Sequence, residues 1–117
     1  MAKSTTETIF SKIIRKEIPA KIVYEDDICL CFHDIHPVAP IHLLLIPKKP
    51  IAMLSDSEQT DTVILGHLLQ KVAIITQKLN IQDAFRVVVN NGAGACQTVM
   101  HLHLHILSGR AFNWPPG

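Results

Sequence analysis

The sequence predicts an α+β fold: an antiparallel sheet of about five strands with one long and one short helix. Three observations carry that reading. Apolar residues recur at helical spacing in two segments only, five other segments alternate or form short β-branched runs, and the links between those five are mostly too short for the crossovers of a parallel sheet.

In chain order, residues 8–16 place Ile9, Phe10, Ile13 and Ile14 three to four apart, which predicts a short amphipathic helix stopped by Pro19. From 22 to 33 the β-branched and aromatic content rises, and Glu25-Asp26-Asp27 supplies a turn, so 22–24 and 28–33 read as a hairpin. Pro37 and Pro40 hold the chain extended, and the apolar run 42–46, bounded by Pro47 and Pro50, reads as a third strand. Asp56 or Ser57 is expected to cap the long helix, whose stripe is Ile64, Leu65, Leu68, Leu69, Val72, Ile75 and Leu79. Residues 85–89 give a fourth strand, 90–97 a Gly-containing loop, and 100–107 a strictly alternating fifth strand. The tail Trp114-Pro115-Pro116-Gly117 cannot form regular structure.

A length of 117 residues fits one domain, with 8–107 as its core and 108–117 as a C-terminal tail. Hydrophobic residues make up 48% and mean hydropathy is +0.25, enough for a packed core and too apolar for a disordered chain. Eleven Lys+Arg against ten Asp+Glu leave a net charge of +1, without the basic stripe that nucleic-acid binding needs. Any phosphate it binds is therefore expected on a small molecule. The longest apolar runs are four or five residues against the roughly 20 of a membrane span, and Met1-Ala2-Lys3-Ser4-Thr5-Thr6-Glu7 lacks the apolar core of a signal peptide. These features predict a soluble cytoplasmic protein with no membrane partner. Three cysteines cannot all pair, and Cys29 and Cys31 lie too close on one strand to bridge, so reduced thiols are expected.

The sharpest feature is His101-Leu102-His103-Leu104-His105-Ile106. On a strand, three imidazoles share one face while Leu102, Leu104 and Ile106 fill the other. Three readings compete. The histidines can simply occupy a wet face. They can ligate a metal, although His101 and His105 lie roughly 13 Å apart at about 3.3 Å per residue, too far to share one ion without a bend. Cys29, Cys31 and His33 repeat the alternation and offer a softer ligand set. Or a neutral imidazole attacks phosphorus, with the middle histidine as nucleophile and its neighbours contacting phosphoryl oxygens or passing a proton; no metal is then needed. Just upstream, the run from Asn90 through Gly92, Gly94, Cys96 and Gln97 to Thr98 can wrap an anion with backbone N–H groups and side-chain amides.

The run from Asn90 through Gly92, Gln97 and Val99 to His101-Leu102-His103-Leu104-His105-Ile106-Leu107 resembles the signature of the histidine triad family of nucleotide hydrolases and transferases. The likeness extends over Thr8-Ile9-Phe10, the block from Ile13 to Lys21, Phe32-His33-Asp34-Ile35, His42, Ile46-Pro47-Lys48-Lys49 and Trp114-Pro115-Pro116-Gly117. The N-terminal block and the tail resemble the branch of histidine triad nucleotide-binding proteins that act as purine nucleoside phosphoramidases. The resemblance implies a homodimer whose sheets join across the interface, a purine nucleotide as ligand, and no cofactor or metal.

Residue by residue, it implies His103 as nucleophile, His105 as the phosphate and leaving-group contact, and His101 and His42 as supporting histidines. Asp34 matches the acid that accepts from the ribose hydroxyls. Ile9, Phe10, Ile13, Ile18, Phe32, His33 and Ile35 match positions around the base; Asn90, Gln97 and Thr98 match phosphate and leaving-group contacts; and Trp114 is expected near the partner's site. Cys96 stands where the pattern usually has Gly, which bears on the phosphate loop. Pro50 stands where several relatives carry a further His. The expected activity is hydrolysis of the P–N bond of purine nucleoside 5′-phosphoramidates. Its rivals are dinucleoside polyphosphate hydrolysis, a non-catalytic nucleotide-binding or protein-interaction module, and a metalloprotein.

Overall fold

A computed structural model of the chain describes residues 7–117, so the expectation drawn from the first six residues lies outside it. Five antiparallel strands, β1 (Ile22–Glu25), β2 (Cys29–His33), β3 (Ile41–Pro47), β4 (Phe85–Val88) and β5 (Leu104–Ser108), form one sheet in the order β1-β2-β3-β5-β4. Helices α1 (Ile9–Ile14) and α2 (Thr62–Lys78) complete the expected α+β fold. No helix among the described residues is long and apolar enough to cross a membrane.

Strand alternation sorts the core into two layers. Cys29, Cys31, Leu43, Leu45, Leu104 and Ile106 face α2, where Leu68, Val72 and Ile75 meet them; Leu30, Phe32, Leu44 and Ile46 face α1 and its Phe10 and Ile13. Both faces of the central strands are covered, which explains why β3 reads as an unbroken apolar run.

Three boundaries differ from expectation by more than one residue, the end of α1 and the starts of α2 and β5, each for a local reason. α1 stops at Ile14, well before Pro19, because Lys16 turns left-handed (φ 63°) and Glu17 N–H reaches Lys12 C=O at 2.9 Å, closing a Schellman cap. Asn80 (φ 58°) ends α2 the same way, with Ile81 N–H on Thr76 C=O. Neither Asp56 nor Ser57 caps α2: two short 3₁₀ turns, Leu54–Asp56 and Gln59–Asp61, intervene, and Asp61 takes the N-cap position. β5 begins at Leu104 rather than at 100, because Leu102 N–H is drawn to Ile51 C=O and His103 to His101 C=O. In α2 the stripe narrows: Leu69 is 63% exposed while Leu68 is 1%.

β5 leaves the sheet through Gly109, whose φ is +94°. A Cβ there would sit 2.8 Å from Pro40 Cβ. Gly109→Ala is expected to destabilise the fold by about 1–3 kcal/mol, the combined cost of a disfavoured φ and a clash with a rigid ring, read as a lowered urea midpoint.

Candidate active site

The apolar half of the 101–106 pattern behaves as predicted, since Leu102, Leu104 and Ile106 are buried against α2. The histidine half is not a wet face. His101 and His103 are buried and His105 is half-buried, because α1 lays Phe10 over them: its ring lies edge-on 5.1 Å from the His103 ring and 6.1 Å from that of His101. His42 joins from β3 as a diagonal cross-strand neighbour of His105.

Backbone groups fix where the protons lie. Val38 N–H donates to His42 Nδ1 at 3.1 Å, so a neutral His42 carries its proton on Nε2. That proton meets His105 Nδ1 at 2.9 Å, with Asp34 Oδ2 at 3.3 Å, so His105 accepts on Nδ1 and keeps its own proton on Nε2. His103 Nδ1–H donates to His101 C=O at 2.7 Å, leaving its Nε2 with a free lone pair. His101 Nε2–H donates to Pro47 C=O at 2.7 Å. The result is a bare imidazole nitrogen on His103 and, on a ring whose centroid is 4.9 Å away, a donor on His105. His105 Nε2 is the one buried side-chain polar atom among the described residues without a hydrogen-bond partner. An unmet buried donor costs about 1–3 kcal/mol, so an acceptor placed against His105 Nε2 gains that much in return.

Burial favours the neutral rings. It pushes His105 down to about 4, helped by repulsion from charge on His103 and His42 and opposed by Asp34. His42 and His101 are lowered chiefly by burial, against the pull of Asp34 on the first and of the Pro47 carbonyl on the second. These rings stay neutral in the fold at pH values where an unfolded histidine, titrating near 6.5, takes up protons. The unfolded state thus binds more protons between about pH 7 and 4, and stability falls as pH is lowered through that window. Tm is expected to drop by several degrees between about pH 7.5 and 5, and His105→Asn to shrink the drop, in thermal melts at matched ionic strength.

Asp34 connects the histidines to a cleft of about 550 Å³ lined by Pro19, Ala20, Lys21, His33, Asp34 and Ile35. Of the residues expected around a base, His33 and Ile35 lie there, both exposed. Phe10, Ile13 and Phe32 instead build the core beneath α1, Ile18 packs against that core, and Ile9 is 49% exposed outside it. Nothing in the sequence marks Pro19, Ala20 and Lys21 as cleft residues, because only the fold brings the α1–β1 link beside the end of β2.

In the loop before the histidines, Gln97 is buried and its amide is fully engaged: Oε1 accepts from Gly92 N–H at 2.7 Å, and Nε2 donates to Ala52 and Val99 carbonyls. It staples the loop rather than offering a free side chain to a phosphate. Cys96 adopts φ 69° without being glycine, and it is exposed, as is Thr98; Asn90 is half-buried. The tail is held by Arg86, which donates to Asn113 C=O and stacks on Phe112, while Trp114 is 83% exposed.

A buried histidine cluster in the interior of a small antiparallel sheet, joined through Asp34 to an open cleft, defines a class of α+β proteins organised around histidines. The chain belongs to the HIT family: the HIT domain matches residues 15–112. It is 62% identical over 111 residues to an uncharacterised HIT-like protein of Synechocystis sp., covering 95% of this chain and 97% of that one. The fold superposes on a HIT family hydrolase of Legionella pneumophila with a TM-score of 0.91 at 43% identity, over 95% of this chain and all of that one (100%). A histidine triad nucleotide-binding protein of Candida albicans matches with a TM-score of 0.80 at 31% identity, over 95% of this chain and 85% of that one.

Proposed function

We propose that the protein hydrolyses the P–N bond of purine nucleoside 5′-phosphoramidates through a nucleotidyl-histidine, without a metal. The observation that carries this reading is the pairing of a bare Nε2 on His103 with the unpartnered Nε2–H of His105. His33 and Ile35 take the base with Pro19, Ala20 and Lys21, and Asp34, which spends Oδ1 on His36 N–H, keeps lone pairs for the ribose hydroxyls. Asn90, Cys96 and Thr98, on the loop held by Gln97, take the phosphate.

The anionic substrate raises the proton affinity of the His42–His105 pair, so one proton enters with it. His103 Nε2 attacks phosphorus; the P–N bond breaks as His105 hands that proton to the departing amine nitrogen. Water then attacks phosphorus and returns a proton to His105, and the Nε2–P bond breaks to release nucleoside monophosphate. His101 orients His103 through its carbonyl, and His42 orients His105.

A homodimer is supported by the open edge of β4 and by Leu54, Leu69 and Val89, which are exposed around an apolar groove of about 130 Å³ beside it. In such a dimer the exposed Trp114 reaches toward the partner's cleft. Residues 8–107 form the working unit, 108–117 its tail, and the free thiols Cys29, Cys31 and Cys96 suit the cytoplasm. The test is hydrolysis of an adenosine 5′-phosphoramidate ester with and without EDTA, with mass spectrometry of acid-quenched enzyme. Metal-independent turnover and a mass increase of one nucleotidyl group on His103 are expected. Binding of AMP without turnover, or activity lost on chelation, overturns the reading.

A further inference from the structure

On the face of the sheet opposite the histidine relay, a second group of chemistry-bearing side chains has no part in the proposed reaction. Asp26 in the β1–β2 turn, Cys29 at the start of β2 and His67 on α2 place a carboxylate oxygen, a thiol sulfur and an imidazole nitrogen all within 4.8 Å of one another. We infer that Asp26, Cys29 and His67 form a binding site for a borderline-soft divalent transition metal such as zinc.

The carboxylate is held in place. Asp26 Oδ1 accepts from the backbone N–H groups of Ile28 and Cys29, both at 2.8 Å, which aims Oδ2 at His67 Nε2, 2.7 Å away. Tyr24 O–H donates to the same Oδ2 at 2.8 Å, supplying the outer-shell bond that ligating carboxylates use. His67 and Asp26 are 22% and 24% exposed in their side chains, so an ion can enter from solvent, while Cys29 closes the floor at 0%.

The donor set selects the ion. Oxygen, nitrogen and sulfur together suit zinc or cobalt over magnesium or calcium, which take oxygen alone. With metal–ligand distances of about 2.0–2.3 Å, tetrahedral neighbours stand roughly 3.3 Å apart, so the ion needs His67 and Asp26 to part by about 0.6 Å. The protons also balance. Cys29 releases its thiol proton to solvent on binding, His67 moves its proton from Nε2 to Nδ1, and water fills the fourth position. A dication with one carboxylate and one thiolate is neutral, which a half-buried site tolerates. The ion would tie α2 to the β1–β2 turn.

The probe is Co²⁺, added to the reduced, metal-free full-length protein and followed by absorption. One equivalent is expected to give visible bands of a four-coordinate ion and a near-ultraviolet thiolate-to-cobalt band, and zinc is expected to displace it. Cys29→Ser and His67→Gln should each abolish the thiolate band, while Cys96→Ser and His105→Asn retain it; His67→Gln, on a partly exposed helix position, keeps the fold by circular dichroism. Turnover in His67→Gln should stay at the wild-type level, which separates this site from the relay. Absence of a thiolate band, a band that survives His67→Gln, or one lost in Cys96→Ser overturns the inference.

Discussion

His103→Ala is expected to lower kcat/KM for a nucleoside phosphoramidate by at least about 10⁴-fold, the scale seen when a covalent nucleophile is removed. The cleft proposed for base and ribose is lined by Asp34 and not by His103, so the alanine is expected to leave it intact. AMP affinity should therefore change by less than about tenfold, a difference of 1.4 kcal/mol or under. His103 touches Phe10 and is 6% exposed, so the variant also loses packing, and its fold is checked by circular dichroism before kinetics. Turnover that persists in a folded variant would remove His103 as nucleophile. Parallel loss of binding and turnover would instead assign it to substrate affinity.

Phe10→Ala is expected to cost about 3–5 kcal/mol, a large share of the 5–15 kcal/mol that holds a domain of this size together. Phe10 packs edge-on at 5.6 Å against Phe32 as well as on His101 and His103. α1 has only six residues and no stability of its own, so it docks through Phe10 and Ile13. Tm should fall by about 10–20 °C. The surviving folded fraction should show a reduced kcat, since the lid over His103 has lost its ring, and Phe10→Leu should restore most of the stability and little of the orientation. A Tm within about 2 °C of wild type would show that α1 is held by something else.

The sheet was legible because alternation is a local property: Leu43 and Leu45 against Leu44 and Ile46 already divide the two core layers. The triad was legible for the same reason, through the leucines that interleave it. What the sequence hid depends on partners far along the chain. Nothing near His101 announces that Ile51 and Pro47 will capture its surroundings and delay β5 to Leu104. Lys16 and Asn80 end their helices in left-handed geometry, with no glycine to advertise it. Gln97 reads as a ligand contact and serves as a staple, because its partners Gly92 and Ala52 become visible only in the fold. Phe10 reads as a wall of the base slot and turns out to roof the histidines.

The hydrogen bonds that set the tautomers end on main-chain atoms: the amide of Val38 and the carbonyls of His101 and Pro47. A side chain can drift over generations, but an amide or carbonyl is the same in nearly every residue that could replace its owner. The site's chemical identity is therefore stored in the path of the chain and needs only the histidines spelled out in the sequence. Variants that keep the backbone path at 38–40 and 101–103 keep the proton arrangement, and proline at position 38 erases it by removing the amide that His42 Nδ1 accepts.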